Sequence, residues 1–363
     1  MRTFHRLGVV FAFIICLGAC SSGGSGPGSL PPPVTPAATR TWRMGFSPNP
    51  PRPTVQDVLG GIDLWSQRAE IAAIHEELPW RDLLSGMSAD AILDRDKVQL
   101  VNYMRGKGLQ LYFMADITDP LSRVQEAPQL RALGRSISEP AVQQVYRDYL
   151  LAVQRKLNPD YLGLAAETNL IRVAAPPQVY AAMVKASGDA AAALRAAGAS
   201  EPLLISVQAE TAWGLLGAPA PYRGVEADFA DFPFAQMIGI SSYPYFAYPQ
   251  PEDIPANYYT RLLNGHTLPA MVVEGGWTSA NVGSVQSSAE IQARYFTREA
   301  ALLDSINARG FIQLVFADLD LASFPPPLPP NLSLFAQIGI VDTHFGAKPA
   351  LAVWDALYAR RRL

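Results

Sequence analysis

The sequence predicts an α/β fold, a single (β/α)8 barrel over residues 41–363, and three observations predict it. Eight short apolar runs recur along the chain. Each is apolar on both faces and closes on polar or aromatic residues, as a strand buried on both sides of a parallel sheet must be. Helical patterns or long loops separate the runs, which is the alternation of βα units. No Gly-rich phosphate loop follows any run, which weighs against an open doubly wound sheet.

In order, the runs are 42–46 (WRMGF), 70–74 (EIAAI), 109–114 (LQLYFM), 161–165 (YLGLA), 203–207 (LLISV), 237–240 (MIGI), 270–273 (AMVV) and 311–316 (FIQLVF). Helices are predicted over 54–68 and 89–105. A third, over 140–157, places Val142, Val145, Tyr146, Tyr149 and Val153 at helical spacing, with Ser138 as N-cap and Pro140 in the first turn. The Ala-rich stretch 177–197 stops at Gly198, a residue suited to the left-handed position after a helix. Two more helices are predicted over 288–309 and 348–360. The last puts Leu351, Trp354 and Leu357 on one face. No internal repeat is present.

A chain of 363 residues with 49% hydrophobic content is ample for one large core. Its formal net charge of -3, with 17% charged residues, argues against nucleic acid or an anionic membrane surface as partner. Both cysteines, Cys16 and Cys20, lie near the N-terminus, so the body holds no disulfide, no Cys-zinc site and no Cys nucleophile. The four histidines, His5, His75, His266 and His344, are scattered, which does not suit a binuclear metal site. No metal or cofactor is expected, and a monomer is expected.

Residues 1–19 have a basic start and the apolar stretch Leu7 to Leu17, a signal-peptide pattern. Leu17-Gly18-Ala19-Cys20 resembles the lipobox of bacterial lipoproteins. That resemblance implies lipidation, palmitate included, at Cys20. Residues 20–40 then form a Gly/Ser/Pro linker, flexible in its first half and stiffer in its second. The expected location is the bacterial cell envelope, with the barrel outside the cytoplasm and held to the membrane only by its lipid. Ser21 after the cysteine points to the outer membrane.

Chemistry in a barrel sits at the C-terminal ends of the strands. The residues there are Ser47 and Asn49; His75, Glu76 and Glu77; Asp116; Glu167 and Asn169; Gln208 and Glu210; Ser242, Tyr243 and Tyr245; Glu274 and Trp277; and Asp318 and Asp320. This ring is rich in carboxylates and aromatics and poor in bases, which suits a neutral polyol. Glu167 ends the fourth run and Glu274 the seventh, so they face one another across the mouth. Two carboxyls flanking one glycosidic bond, about 5–5.5 Å apart, are what a retaining glycosidase needs.

The arrangement resembles that of clan A glycoside hydrolases. Met271-Val272-Val273-Glu274-Gly275-Gly276-Trp277 resembles the nucleophile strand of the family 53 endo-galactanases. Ile238-Gly239-Ile240-Ser241-Ser242-Tyr243-Pro244 resembles their sixth strand, and residues 335–354 resemble clan A C-termini. The resemblance implies Glu167 as acid/base, Glu274 as nucleophile and Tyr243 as a donor to Glu274. Two departures stand out. Ala166 precedes Glu167 where the clan usually has Asn, and Phe316-Ala317-Asp318 stands where a Trp often floors the sugar site, a role expected here of Trp277.

His75, Asn169 and Gln208 are expected to bind hydroxyls, and Trp277, Trp213, Tyr245 and Trp80 to stack on sugar rings. Asp116, Glu210, Asp318 and Asp320 read as structural. Two functions remain open at this point. One is a retaining hydrolase of a neutral, β-linked poly- or oligosaccharide. The other is a non-catalytic, surface-tethered barrel that binds glycan or protein.

Overall fold

The computed structural model describes residues 39–120, 122–217, 220–329 and 331–363. The leader, Cys20 and nearly all of the linker lie outside the described residues. Eight parallel strands close into a barrel in chain order. We number them β1 (Arg43–Phe46), β2 (Ile71–Glu77), β3 (Gln110–Asp116), β4 (Tyr161–Ala165), β5 (Leu203–Gln208), β6 (Met237–Ser242), β7 (Ala270–Gly275) and β8 (Gly310–Gln313). All eight apolar runs are therefore strands. The α/β fold class and the closed (β/α)8 architecture hold, and the differences lie at element ends.

Side-chain alternation divides the core in two. Ile71, Ala73, Tyr112, Met114, Leu204, Met237, Met271, Val273 and Ile312 fill the barrel interior. Their neighbours on each strand face outward and pack with the helices in one continuous layer. The last helix, Pro349–Tyr358, completes that layer. Its Trp354 is fully buried, with its ring centroid 4.5 Å from that of Phe46 on β1 and 5.6 Å from that of Phe311 on β8. Loss of a ring that size from a packed core costs about 3–5 kcal/mol. Below the barrel, Thr39–Arg40 pairs in parallel with Arg361–Arg362.

Helix boundaries differ from expectation for local reasons. The 89–105 pattern splits into Ala89–Asp96 and Val98–Gly106, because Lys97 leaves helical geometry at φ -127°. The helix Pro140–Leu157 is capped at Glu139, not Ser138. The Glu139 side chain instead accepts a 2.8 Å bond from the Ser136 amide, in the segment that leads into the helix. Ser288 does cap Ala289–Ser305 through its side chain. Among the described residues no helix is long and apolar enough to cross a membrane.

Candidate active site

Both carboxylates of interest are turned inward by irregular backbone. On β7, Val273 belongs to the barrel interior, so strict alternation would aim Glu274 at the helices. The ladder with β6 shifts here: Ile240 pairs Val272, but Ser241 pairs Glu274. One extra residue on β7 therefore re-aims Glu274 to the mouth, as bulges beside active sites do. Gly275 follows because a Cβ there would come within 2.9 Å of the Ser242 carbonyl oxygen.

On β4 the ladder with β5 also shifts, and Ala166 fills the interior. Glu167 then takes the left-handed conformation (φ 47°, ψ 47°) and swings into the mouth. That conformation costs a non-glycine residue about 1–2 kcal/mol. The Glu167 amide offsets part of this by donating to Ser206 Oγ at 2.9 Å.

A chain of polar contacts then links the two carboxylates. Tyr243 OH donates to Glu274 Oε1 at 2.7 Å, and His75 Nδ1 lies 3.3 Å from Glu274 Oε2. His75 Nε2 lies 3.0 Å from Asp116 Oδ2. Arg123 Nη1 donates to that same Asp116 oxygen, while its Nε donates to Glu167 Oε2 at 2.8 Å. Ser241 Oγ donates to Glu167 Oε1 at 2.7 Å. Ser241 is also the register partner of Glu274 on the neighbouring strand. All members of this chain of contacts are buried or nearly so.

Burial makes the charges of this network decisive. It pulls the His75 proton affinity down, but the hydrogen bonds and charges of Asp116 and Glu274 outweigh it and raise the imidazole to about 9. Burial pushes Asp116 up, yet Arg123 and His75 hold it below the usual carboxylate range. Glu167 goes the other way: burial and the Glu274 charge raise it, against the pull of Arg123 and Ser241. Two cations thus face three carboxyls. A buried cluster is neutral when one carboxyl keeps its proton, and Glu167 is the one pushed up.

The remaining expected site residues lie elsewhere. Trp277 is fully buried, with its Nε1 on Ser287 Oγ at 3.0 Å and its ring against Tyr295, so it offers no face to a sugar. Trp80 is likewise fully buried. Trp213 is half-buried, stacked on Tyr258 at 5.3 Å with the Arg261 guanidinium 4.7 Å from its ring. Tyr245 donates to the Leu334 carbonyl at 3.0 Å. Asn169 and Gln208 tie the ends of β4 and β5 together: Asn169 Nδ2 donates to the Gln208 carbonyl at 2.9 Å, and Asn169 Oδ1 accepts from the Gln208 amide at 2.7 Å. The Gln208 side chain is taken up by Glu210 and the Thr211 amide. These residues shape the mouth from behind.

Three members of the network were not among the expected site residues, Asp116 having been read as structural. Asp116 shares the inward parity of Tyr112 and Met114, a signal legible in the sequence. Ser241 has the parity of Met237 two steps on. Arg123 comes from the irregular segment after β3, where no periodicity marks it. Glu210 also matters indirectly. It accepts from the Tyr243 amide at 2.9 Å and from Tyr258 OH at 2.8 Å, and burial raises its carboxyl to about 7. Among the described residues no group of three or more His, Cys, Asp or Glu side chains is placed to hold a metal ion.

Neither a protein-family model nor a curated protein matches the sequence. Solved structures do. An exo-β-1,4-mannosidase from Opitutaceae bacterium strain TAV5 superimposes with a TM-score of 0.64 at 16% identity, over 88% of this chain and 59% of that one. This chain therefore spans under two thirds of the mannosidase. A GH5_18 protein from Streptomyces cattleya in complex with GlcNAc gives 0.64 at 16% identity, over 88% of this chain and 80% of that one. A fungal β-1,4-galactanase gives 0.57 at 14% identity, over 82% and 90%. At such identities the likeness establishes the fold alone, a (β/α)8 barrel that the chain shares with these proteins.

Proposed function

We propose that this protein is a retaining glycoside hydrolase acting on a neutral, β-linked poly- or oligosaccharide, with Glu167 as acid/base and Glu274 as nucleophile. The observation that carries the reading is the polar network: it joins the two glutamates and gives them unlike surroundings. Glu274 is held by a neutral phenol and an imidazolium, donors that steady a carboxylate. Glu167 is the carboxyl whose proton affinity burial and the Glu274 charge raise.

Each step then balances. Glu274 attacks the anomeric carbon and forms a glycosyl ester as the bond to the leaving oxygen breaks, and Glu167 gives that oxygen its proton. Glu167, now a carboxylate, takes a proton from water. The water oxygen attacks the anomeric carbon, the ester bond breaks, and Glu274 is released with its charge restored. The fold neighbours add support for the substrate class: a mannosidase and a galactanase by name, and a GH5_18 protein in complex with Manβ1-4GlcNAc.

The test is a screen of aryl β-glycosides and β-linked glycans, with product stereochemistry followed by NMR. Retention of configuration is expected. Glu274→Gln should abolish turnover. Glu167→Gln should lower it about 10²–10⁴-fold, least for leaving groups that need no proton. Turnover unchanged in Glu274→Gln would refute the assignment, and no turnover of any glycoside by the wild type would favour the non-catalytic, glycan-binding reading. The same proposal has the barrel outside the cytoplasm in the bacterial cell envelope, anchored to a membrane, the outer one foremost, through lipidated Cys20. Cys20→Ala should release it into the soluble fraction, and retention in the membrane would refute that anchor.

A further inference from the structure

A cavity of about 220 Å³ opens beside the polar network, on the side of Glu167. Val124 from the segment after β3, Leu170 and Val173 from the helix Thr168–Ala174, and Leu216 after β5 give it an aliphatic wall. That helix starts at Glu167, and Arg123, which also lines the cavity, is the residue whose Nε holds Glu167 Oε2. The cavity therefore borders the Glu167 end of the network, and Glu274 is not among its lining residues.

Its chemistry is unlike a sugar subsite. No aromatic ring is among its described lining residues, so the apolar C–H face of a pyranose finds no flat partner. No carboxylate lines it either. Its two charged residues are Arg123 and Arg223. Arg223 is exposed, and its guanidinium has no hydrogen-bond or ion-pair partner among the described residues. Arg123 is already paired with Asp116 and Glu167, so Arg223 is the charge that this concave surface holds free for a ligand.

We propose that this cavity receives the group displaced in the first step, and that it is built for an apolar leaving group bearing a carboxylate. The inference rests on reading Glu167 as the acid, since the leaving group departs on the acid's side. The aliphatic wall buries the body of the group, and Arg223 pairs with its charge through guanidinium–carboxylate hydrogen bonds. At ~30 Å³ per water the space holds about seven waters, the size class of one substituted ring.

Binding and turnover test it separately. In calorimetric titration at low salt, wild-type protein should bind 4-hydroxybenzoate about tenfold or more tightly than the uncharged 4-hydroxybenzamide, a preference that shrinks as salt is added. Arg223→Gln should remove the preference. Val173→Asp, which adds a negative charge at an exposed position of the wall, should weaken the benzoate and spare the amide. In kinetics, an aryl glycoside whose aglycone carries a carboxylate should show a kcat/KM higher by a similar factor than its uncharged analogue, again lost in Arg223→Gln.

Equal binding of acid and amide by the wild type, or an undiminished preference in Arg223→Gln, overturns the proposal. If Glu274→Gln abolishes hydrolysis while no carboxylate preference exists, the hydrolase reading stands and this inference falls. If the preference exists and no glycoside is turned over, the hydrolase reading falls and takes the leaving-group role with it.

Discussion

The His75 imidazole is the most exacting test of the network, because two opposing effects of known sign meet on it. Burial alone would drive its proton affinity below the ordinary value near 6.5. Asp116 at 3.0 Å and Glu274 at 3.3 Å reverse this and bring it to about 9. The move from about 6.5 to about 9 corresponds to ~3 kcal/mol of preference for the imidazolium in the folded protein. Its stability sign follows from linkage. Below about pH 6.5 both folded and unfolded states hold the proton and the contribution is complete. As pH rises toward 9 the unfolded state releases it first, and stability falls until the folded imidazole titrates as well. The assay is NMR of the histidine rings between pH 5 and 10.5, with thermal unfolding of wild type and His75→Gln across the same range. The His75 ring should stay protonated beyond pH 8, and Asp116→Asn should shift its titration to lower pH. The fall in wild-type stability between pH 6.5 and 9 should be shallower in His75→Gln. Titration of His75 at or below 6.5 would mean that desolvation wins and that the ion pairs to Asp116 and Glu274 do not form.

Further outcomes follow from neighbouring groups. Arg123→Met strands Asp116 and Glu167 as buried acids without their shared cation, which should cost about 3–5 kcal/mol in denaturant unfolding. It also removes what holds the Glu167 proton affinity down, so the basic limb of the kcat/KM profile should move to higher pH. Burial raises the Glu299 carboxyl to about 8, against the Tyr259 hydroxyl bonds at 2.9 and 3.0 Å. Stability should therefore decline as pH rises from about 4.5 through 8, by a few kcal/mol in order of magnitude, and Glu299→Gln should flatten that decline in a series of thermal melts.

How much of this was legible in the sequence depends on which physical rule each feature obeys. The strands were legible because a strand covered on both faces must be largely apolar, and runs such as 237–240 and 270–273 show this without ambiguity. The two glutamates were legible from their place after such runs. Their orientation was not, since alternation alone sends Glu274 to the wrong face, and a one-residue ladder shift corrects it. Aromatics misled for a related reason. A Trp just past a strand end can line the mouth or turn back under it, and Trp277 turns back because Ser287 and Tyr295 supply a partner and a surface. Arg123 shows the limit most plainly. It stands on a loop with no periodicity, yet it is the contact that joins Asp116 to Glu167.

Ala166, at the position where the clan usually carries Asn, has a structural cause that can be tested. The ladder shift on β4 leaves Ala166 facing the barrel interior, in the cluster formed with Tyr112, Met114 and Leu204, while Glu167 alone turns to the mouth through its left-handed backbone. An Asn at this position would face the apolar barrel interior, away from the mouth, and could not reach a sugar hydroxyl. Burying an amide without hydrogen bonds costs about 1–3 kcal/mol in proteins, and overpacking adds to it. Ala166→Asn should therefore lower the unfolding midpoint and leave KM for any turned-over glycoside no better than that of the wild type. A stable variant with improved kcat/KM would show that residue 166 faces the mouth after all. The backbone account of how Glu167 reaches Arg123 and Ser241 would then be wrong at its first step.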